Sequence, residues 1–239
     1  MGRGDFLLWI AFPYLCAALF VAGHVWRYRR GQYTWTARST QLMERRLLMV
    51  GSVLFHFGIL AAAGGHVLGL LVPRSWTKAV GIGDGAYHWI SVVAGSSAGA
   101  AIVTGFGVLV YRRVRVGRVR ATTTRSDLVL YPALTAAIVF GMLATVWGSA
   151  IGEYHYRETV SPWFRGIFGL DPDGSRMAGA PFVFQAHAVT TFLLLAIWPF
   201  TRLVHAWSVP VTYLRRAPIL YRARGTQPVL ADQRPSSTT

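Results

Sequence analysis

Residues Leu47 to Val72, LLMVGSVLFHFGILAAAGGHVLGLLV, contain no Asp, Glu, Lys or Arg, yet they hold two histidines, His56 and His66. The run exceeds the ~20 apolar residues that a helix needs to cross a ~30 Å hydrocarbon slab. Ionisable side chains are costly at that depth and mark functional positions. Ten helical residues rise ~15 Å, so the two imidazoles belong to two levels of one span.

Four more runs are free of acidic and basic side chains apart from histidine: Phe6 to Trp26, Ala86 to Tyr111, Leu128 to Ile151, and Ala180 to about Thr201. With 53% hydrophobic and only 14% charged residues, the chain is far less charged than a soluble domain. The expected fold is an all-α integral membrane protein of five transmembrane helices. The formal charge of +15 does not indicate nucleic acid, because the arginines lie between apolar runs rather than on one basic face. They act as topology signals. The connections Arg27 to Arg46 and Arg112 to Asp127 hold six each, and the stretch from Arg202 onward holds six. Short loops rich in Arg and Lys stay in the cytoplasm, so the amino end is expected outside and the carboxyl tail inside. The expected organisation is one membrane domain over residues 1–224 and a disordered polar tail over 225–239.

The single Cys16 excludes an intrachain disulfide and a Cys-x-x-Cys-His haem attachment, so any cofactor is held non-covalently. The start of the chain is too weakly basic, and its apolar run too long, for a cleaved signal. Pro13 and Pro199 fall inside spans, where proline kinks a helix more often than it ends one.

Seven histidines occur, and four of them form a pattern. His66 lies six residues before Val72 and His187 six residues after Pro181, which puts both ~9 Å below the same boundary. His56 and His205 are the second member on each of the same two runs. Antiparallel helices allow this order, giving two facing imidazole pairs. Such a pair in an apolar slot suits haem iron, which accepts axial histidines. Zinc favours four ligands; copper remains open on ligand type alone. The spacing does not close on straight helices, since eighteen residues separate His187 from His205 (~27 Å) and ten separate His56 from His66 (~15 Å). Tilt of the fifth span, a bend at Pro199 or a strongly inclined inner haem would each absorb the difference, and a kink is expected. His24 reads as packing and His155 as a solvated loop residue. His88 opens the third span level with the outer pair, where a quinol hydroxyl needs a hydrogen-bond partner and proton acceptor.

The segments GQYTWTARSTQ (Gly31 to Gln41), LFHFGILAAAGGHVLGLLVP (Leu54 to Pro73), RVRATTTRSDL (Arg118 to Leu128), FQAH (Phe184 to His187) and PFTRLVHAWSVPVTYLRRAPILYRAR (Pro199 to Arg224) carry a resemblance. Together they resemble the gamma subunit, the di-haem cytochrome b, of membrane-bound respiratory nitrate reductase. The resemblance implies two non-covalent haem b groups, the outer on His66 and His187 and the inner on His56 and His205. It also implies oxidation of quinol beside the outer haem. Electrons would then pass inward to an iron–sulfur subunit and a molybdenum subunit on the cytoplasmic face, where nitrate is reduced. Related cytochromes b of formate dehydrogenase or hydrogenase, and a haem-free anchor, are the alternatives.

Within that reading Gly65 and Gly69 leave room for the quinol ring. Arg112 and Arg202 are candidates for neutralising haem propionates at the inner site, and the Arg215 to Arg224 segment for that role or for docking a partner. The family's loop lysine has no counterpart in GIGDGAYHW, Gly81 to Trp89, so His88 is the expected substitute. Arginine outnumbers lysine 23 to 1, a mark of a GC-rich genome that favours menaquinol. The expected location is the cytoplasmic membrane of a prokaryote.

Overall fold

The computed structural model describes residues 2–31, 35–36 and 38–207; the polar tail and the Arg215 to Arg224 segment lie outside the described residues. Five helices are long and apolar enough to cross a membrane: α1 (Arg3–Gly31), α2 (Arg46–Leu71), α4 (Asp84–Arg115), α6 (Arg125–Ile151), and α9 (Phe182–Ile197), which a 3-10 turn extends to Phe200. Shorter helices α3 (Arg74–Ala79), α5 (Gly117–Arg120), α7 (Val160–Phe168) and α8 (Gly174–Ala178) lie in the connections. Among the described residues there is no strand.

Packing is inverted relative to a soluble protein. At most 28% of any span's apolar window is buried inside the protein, and Leu15, Phe57, Leu60, Leu128 and Phe182 point outward. Lipid must cover them, because apolar surface on this scale is not left in water.

Helix starts follow local chemistry. Thr124 and Asp127 form a capping box at α6, with the Thr124 N–H donating to Asp127 at 3.0 Å. The Glu44 carboxylate accepts the N–H groups of Leu47 and Leu48 at 2.9 and 3.3 Å, satisfying donors that a helix start leaves orphaned. Those bonds, first that to Leu47, hold the Glu44 carboxyl below its ordinary range. The Gln185 amide donates to the carbonyls of Ala178 and Ala180 and so fixes the start of α9.

The spans pack chiefly as α2 on α4, and as α9 on α6 and α1. The α2–α4 contact depends on glycine. A Cβ at Gly105 would lie 2.4 Å from the backbone nitrogen of Phe55 and 2.8 Å from the carbonyl oxygen of Gly51. Small residues allow this backbone approach.

Three spans contain a π-helical turn: Leu7–Ala11 in α1, Val67–Leu71 in α2 and Ala144–Ile151 in α6. All three lie toward the end of the bundle that holds Arg3, termed here the amino end. At Pro13 the helix continues rather than breaking, and the π turn just before it loosens the hydrogen-bond ladder that the ring interrupts. At Pro199 the outcome differs. The α-helix stops at Ile197, Trp198–Phe200 is 3-10, Thr201 is extended, and Arg202–Trp207 is again 3-10. The expected bend is therefore a break in the helix.

Replacing Gly105 by valine should destabilise the bundle by about 1–3 kcal/mol through overpacking. The same change at Gly107, which has no neighbour within 4 Å, should cost far less. Thermal unfolding of the two variants in detergent measures the difference.

Candidate functional site

The structure brings the four histidines together in two pairs. The ring centres of His66 and His187 are 5.9 Å apart with planes at 36°; those of His56 and His205 are 6.0 Å apart at 71°. A metal bound by two imidazole nitrogens at ~2 Å each sets the ring centres about 6 Å apart. Among the described residues no group of three or more His, Cys, Asp or Glu could hold a metal. The donor set fits an iron whose remaining ligands come from a macrocycle, not a zinc site.

Orientation of each ring is fixed by the backbone. Nδ1 of His56 binds the Ser52 carbonyl at 2.7 Å and Nδ1 of His66 that of Ala62 at 2.7 Å, each one helical turn back. Nδ1 of His187 binds the Ala137 carbonyl of α6 at 3.0 Å, and Nδ1 of His205 the Arg202 carbonyl at 2.6 Å. A carbonyl accepts only, so each Nδ1 carries the proton and Nε2 keeps a lone pair for a metal. The His187 ring needs a gap in α6, which Gly141 supplies: a Cβ there would lie 2.9 Å from the imidazole. Gly64 and Gly65, beside His66, have no atom within 4 Å of where a Cβ would stand. That leaves space for a flat ring next to the imidazole.

His24 has its Nδ1 on the Phe20 carbonyl at 2.7 Å, and its ring neighbours are Phe20, Trp35 and Trp207 rather than a second imidazole. Its place is in an aromatic cluster. Arg112 donates four hydrogen bonds to Thr40 and Glu44, and Arg202 grips Asp127 with two, at 2.7 and 2.6 Å. Both guanidiniums, considered for propionates, thus have a carboxylate partner inside the chain.

At the amino end the π turn after His66 frees carbonyls that the 152–180 connection takes up. Ser161 donates to Gly69, Arg165 to Leu70 and Arg157 to Val72, each at 2.9 Å. Trp163 donates to the Trp9 carbonyl at 2.8 Å from within a buried cluster with Val160 and Met177. This connection is folded against the spans. His155, in it, lies beside His88, with ring centres 5.6 Å apart. The two line a cavity of about 30 Å³ together with Tyr87, Ser91 and Tyr156. That volume admits a water but no aromatic ring. The Tyr156 hydroxyl reaches 2.6 Å from where a Cβ on Gly69 would stand, so it touches the π turn three residues past His66. Burial, and then the neighbouring Tyr87, push the Tyr156 phenol well above its usual range.

The sequence model of the nitrate reductase gamma subunit matches residues 5–224. The chain belongs to the nitrate reductase gamma subunit family. It is 40% identical over 218 residues to the nitrate reductase gamma chain of Bacillus subtilis, covering 91% of this chain and 98% of that one. Against the respiratory nitrate reductase 2 gamma chain of Escherichia coli it is 34% identical over 214 residues, covering 89% and 94%. Nitrate reductase-like protein NarX of Mycobacterium tuberculosis is 50% identical over 220 residues, which are 91% of this chain but 34% of NarX. The chain thus spans about a third of NarX's length. Membership of this family and five membrane-length helices make it a multi-pass membrane protein.

The unfolded chain releases the Tyr156 proton near pH ~10, whereas the folded protein keeps it to higher pH. Above that pH the unfolded state binds fewer protons, so stability falls as pH rises. Tyr156→Phe should remove part of that alkaline loss, read as a flatter dependence of thermal midpoint on pH above the usual phenol range.

Proposed function

We propose that this chain is the quinol-oxidising di-haem cytochrome b subunit of a respiratory nitrate reductase. His66 and His187 would hold the outer haem iron, and His56 and His205 the inner. The supporting observation is the geometry of the two imidazole pairs, about 6 Å between ring centres with every Nδ1 on a backbone carbonyl. When bound, haem supplies a reversible one-electron carrier at each level, which links a two-electron quinol to a distant acceptor.

The protein's own groups do the rest. Gly65, with no atom within 4 Å of where a Cβ would stand, lets the quinol ring approach the His66 side of the slot; Gly69, expected to leave room as well, is buried under the Tyr156 ring and does not. His88 accepts the hydroxyl proton and hands it through the water-sized cavity to His155, which is exposed. Arg157, stacked on the Tyr87 ring at 3.9 Å, and Tyr156 keep the cavity's inner wall in place. The amino end faces outward and the arginine-rich end the cytoplasm, as the distribution of basic residues favours. Electrons leave at the arginine-rich end to an iron–sulfur subunit and then to a molybdenum subunit that reduces nitrate. Menaquinol is the favoured donor.

The purified complex should give a reduced-minus-oxidised spectrum with b-type bands that titrate as two components. His66→Ala and His187→Ala should remove one component; His56→Ala and His205→Ala should remove the other. A colourless protein, or loss of the wrong component, contradicts the reading. His88→Gln should slow quinol-dependent nitrate reduction by roughly 10²-fold, the usual contribution of a positioned base, with haem content unchanged.

A further inference from the structure

His205 differs from the other three paired histidines in having no membrane-length helix beneath it. Its imidazole sits where the segment after Ile197 puts it, and a six-residue 3-10 turn has little stability of its own. Two guanidiniums anchor that segment. Arg27 on α1 donates to the carbonyls of Pro199 and Thr201 at 2.5 and 3.1 Å. Arg202, at the start of the turn, donates from Nε to one oxygen of Asp127 at 2.7 Å and from a terminal nitrogen to the other at 2.6 Å. This fork-on-fork contact fixes direction as well as distance.

Asp127 is itself held firmly. It is 1% exposed, accepts the Thr124 N–H at 3.0 Å in the α6 capping box, and has Arg113 3.8 Å from the same oxygen. The path continues to the ligand, since the carbonyl of Arg202 accepts Nδ1–H of His205 at 2.6 Å. A carboxylate on α6 thereby sets the residue that orients an imidazole on a separate segment. Val204, within that turn, is fully buried, so the turn cannot swing freely once Arg202 is seated.

We infer that Asp127 is a positioning residue for His205: through Arg202 it holds the last paired histidine at the level of His56. The inference rests on the proposed bis-histidine haem reading. Outer-shell partners of a metal ligand typically change affinity 10–100-fold when removed, and a buried guanidinium that loses its carboxylate becomes a strain on the site.

The test uses the assembled complex in membranes, with Asp127→Asn and Asp127→Glu beside wild type. His205→Ala and His66→Ala identify the two haem components. Asp127→Asn should loosen the inner haem roughly tenfold or more, seen as loss of the low-spin component that His205→Ala also lacks. The component missing in His66→Ala should keep its occupancy and midpoint potential. Asp127→Glu should retain more of the inner component than Asp127→Asn. An Asp127→Asn complex whose inner component keeps wild-type occupancy and line shape overturns the positioning role. Equal loss of both components overturns it too, because the residue would then serve the whole bundle. A wild-type complex without haem removes the underlying reading and this one together; two wild-type components indifferent to Asp127 remove only this one.

Discussion

An imidazole inside hydrocarbon has two nitrogens and no water to satisfy them. In all four paired histidines one nitrogen is committed to a backbone carbonyl, which fixes the tautomer and leaves the other with its lone pair. On α2 a free carbonyl lone pair one turn back is enough. On α9 the partner carbonyl for His187 comes from α6, so that helix must run close by, and Gly141 permits it. For His205 it comes from the turn itself. Much of the bundle's packing follows from the need to present four lone pairs at two levels.

The amino end applies the same rule to carbonyls. Three π turns leave main-chain oxygens outside the regular ladder, and the 152–180 connection brings Ser161, Arg157, Arg165 and Trp163 to meet oxygens near them. Placing hydroxyl, guanidinium and indole donors there keeps irregular backbone tolerable near the membrane boundary.

The five spans and the pairing of 66 with 187 and 56 with 205 were legible because apolar length and residue spacing record depth directly. The break after Ile197 was only half legible. Spacing demanded an offset and Pro199 suggested where it lies, but whether a proline bends or ends a helix depends on neighbours such as Arg27 that spacing does not reveal. Starting the run of span four at Leu128 left Asp127 outside it, although the Thr124-x-x-Asp127 pattern is a helix-start signature that could have drawn attention to it. The π turns left no readable mark, since one extra residue per turn does not change composition. His155 was read as solvated; it is exposed, and its nearness to His88 came only from the fold of a connection whose polar sequence hid the buried Trp163 and Met177.

The paired histidines are divided between the second span, the first turns of the fifth and the 3-10 turn that follows it. Translation runs from the amino terminus, and domains take shape as the chain emerges. Neither imidazole couple can therefore form until the fifth span has entered the bilayer, and the His56–His205 couple waits for residue 205. A ribosome that stops before the fifth span leaves a four-helix precursor carrying one histidine of each pair. Pairing of the four rings would then be a late event in the biogenesis of this domain, coupled to entry of its fifth span.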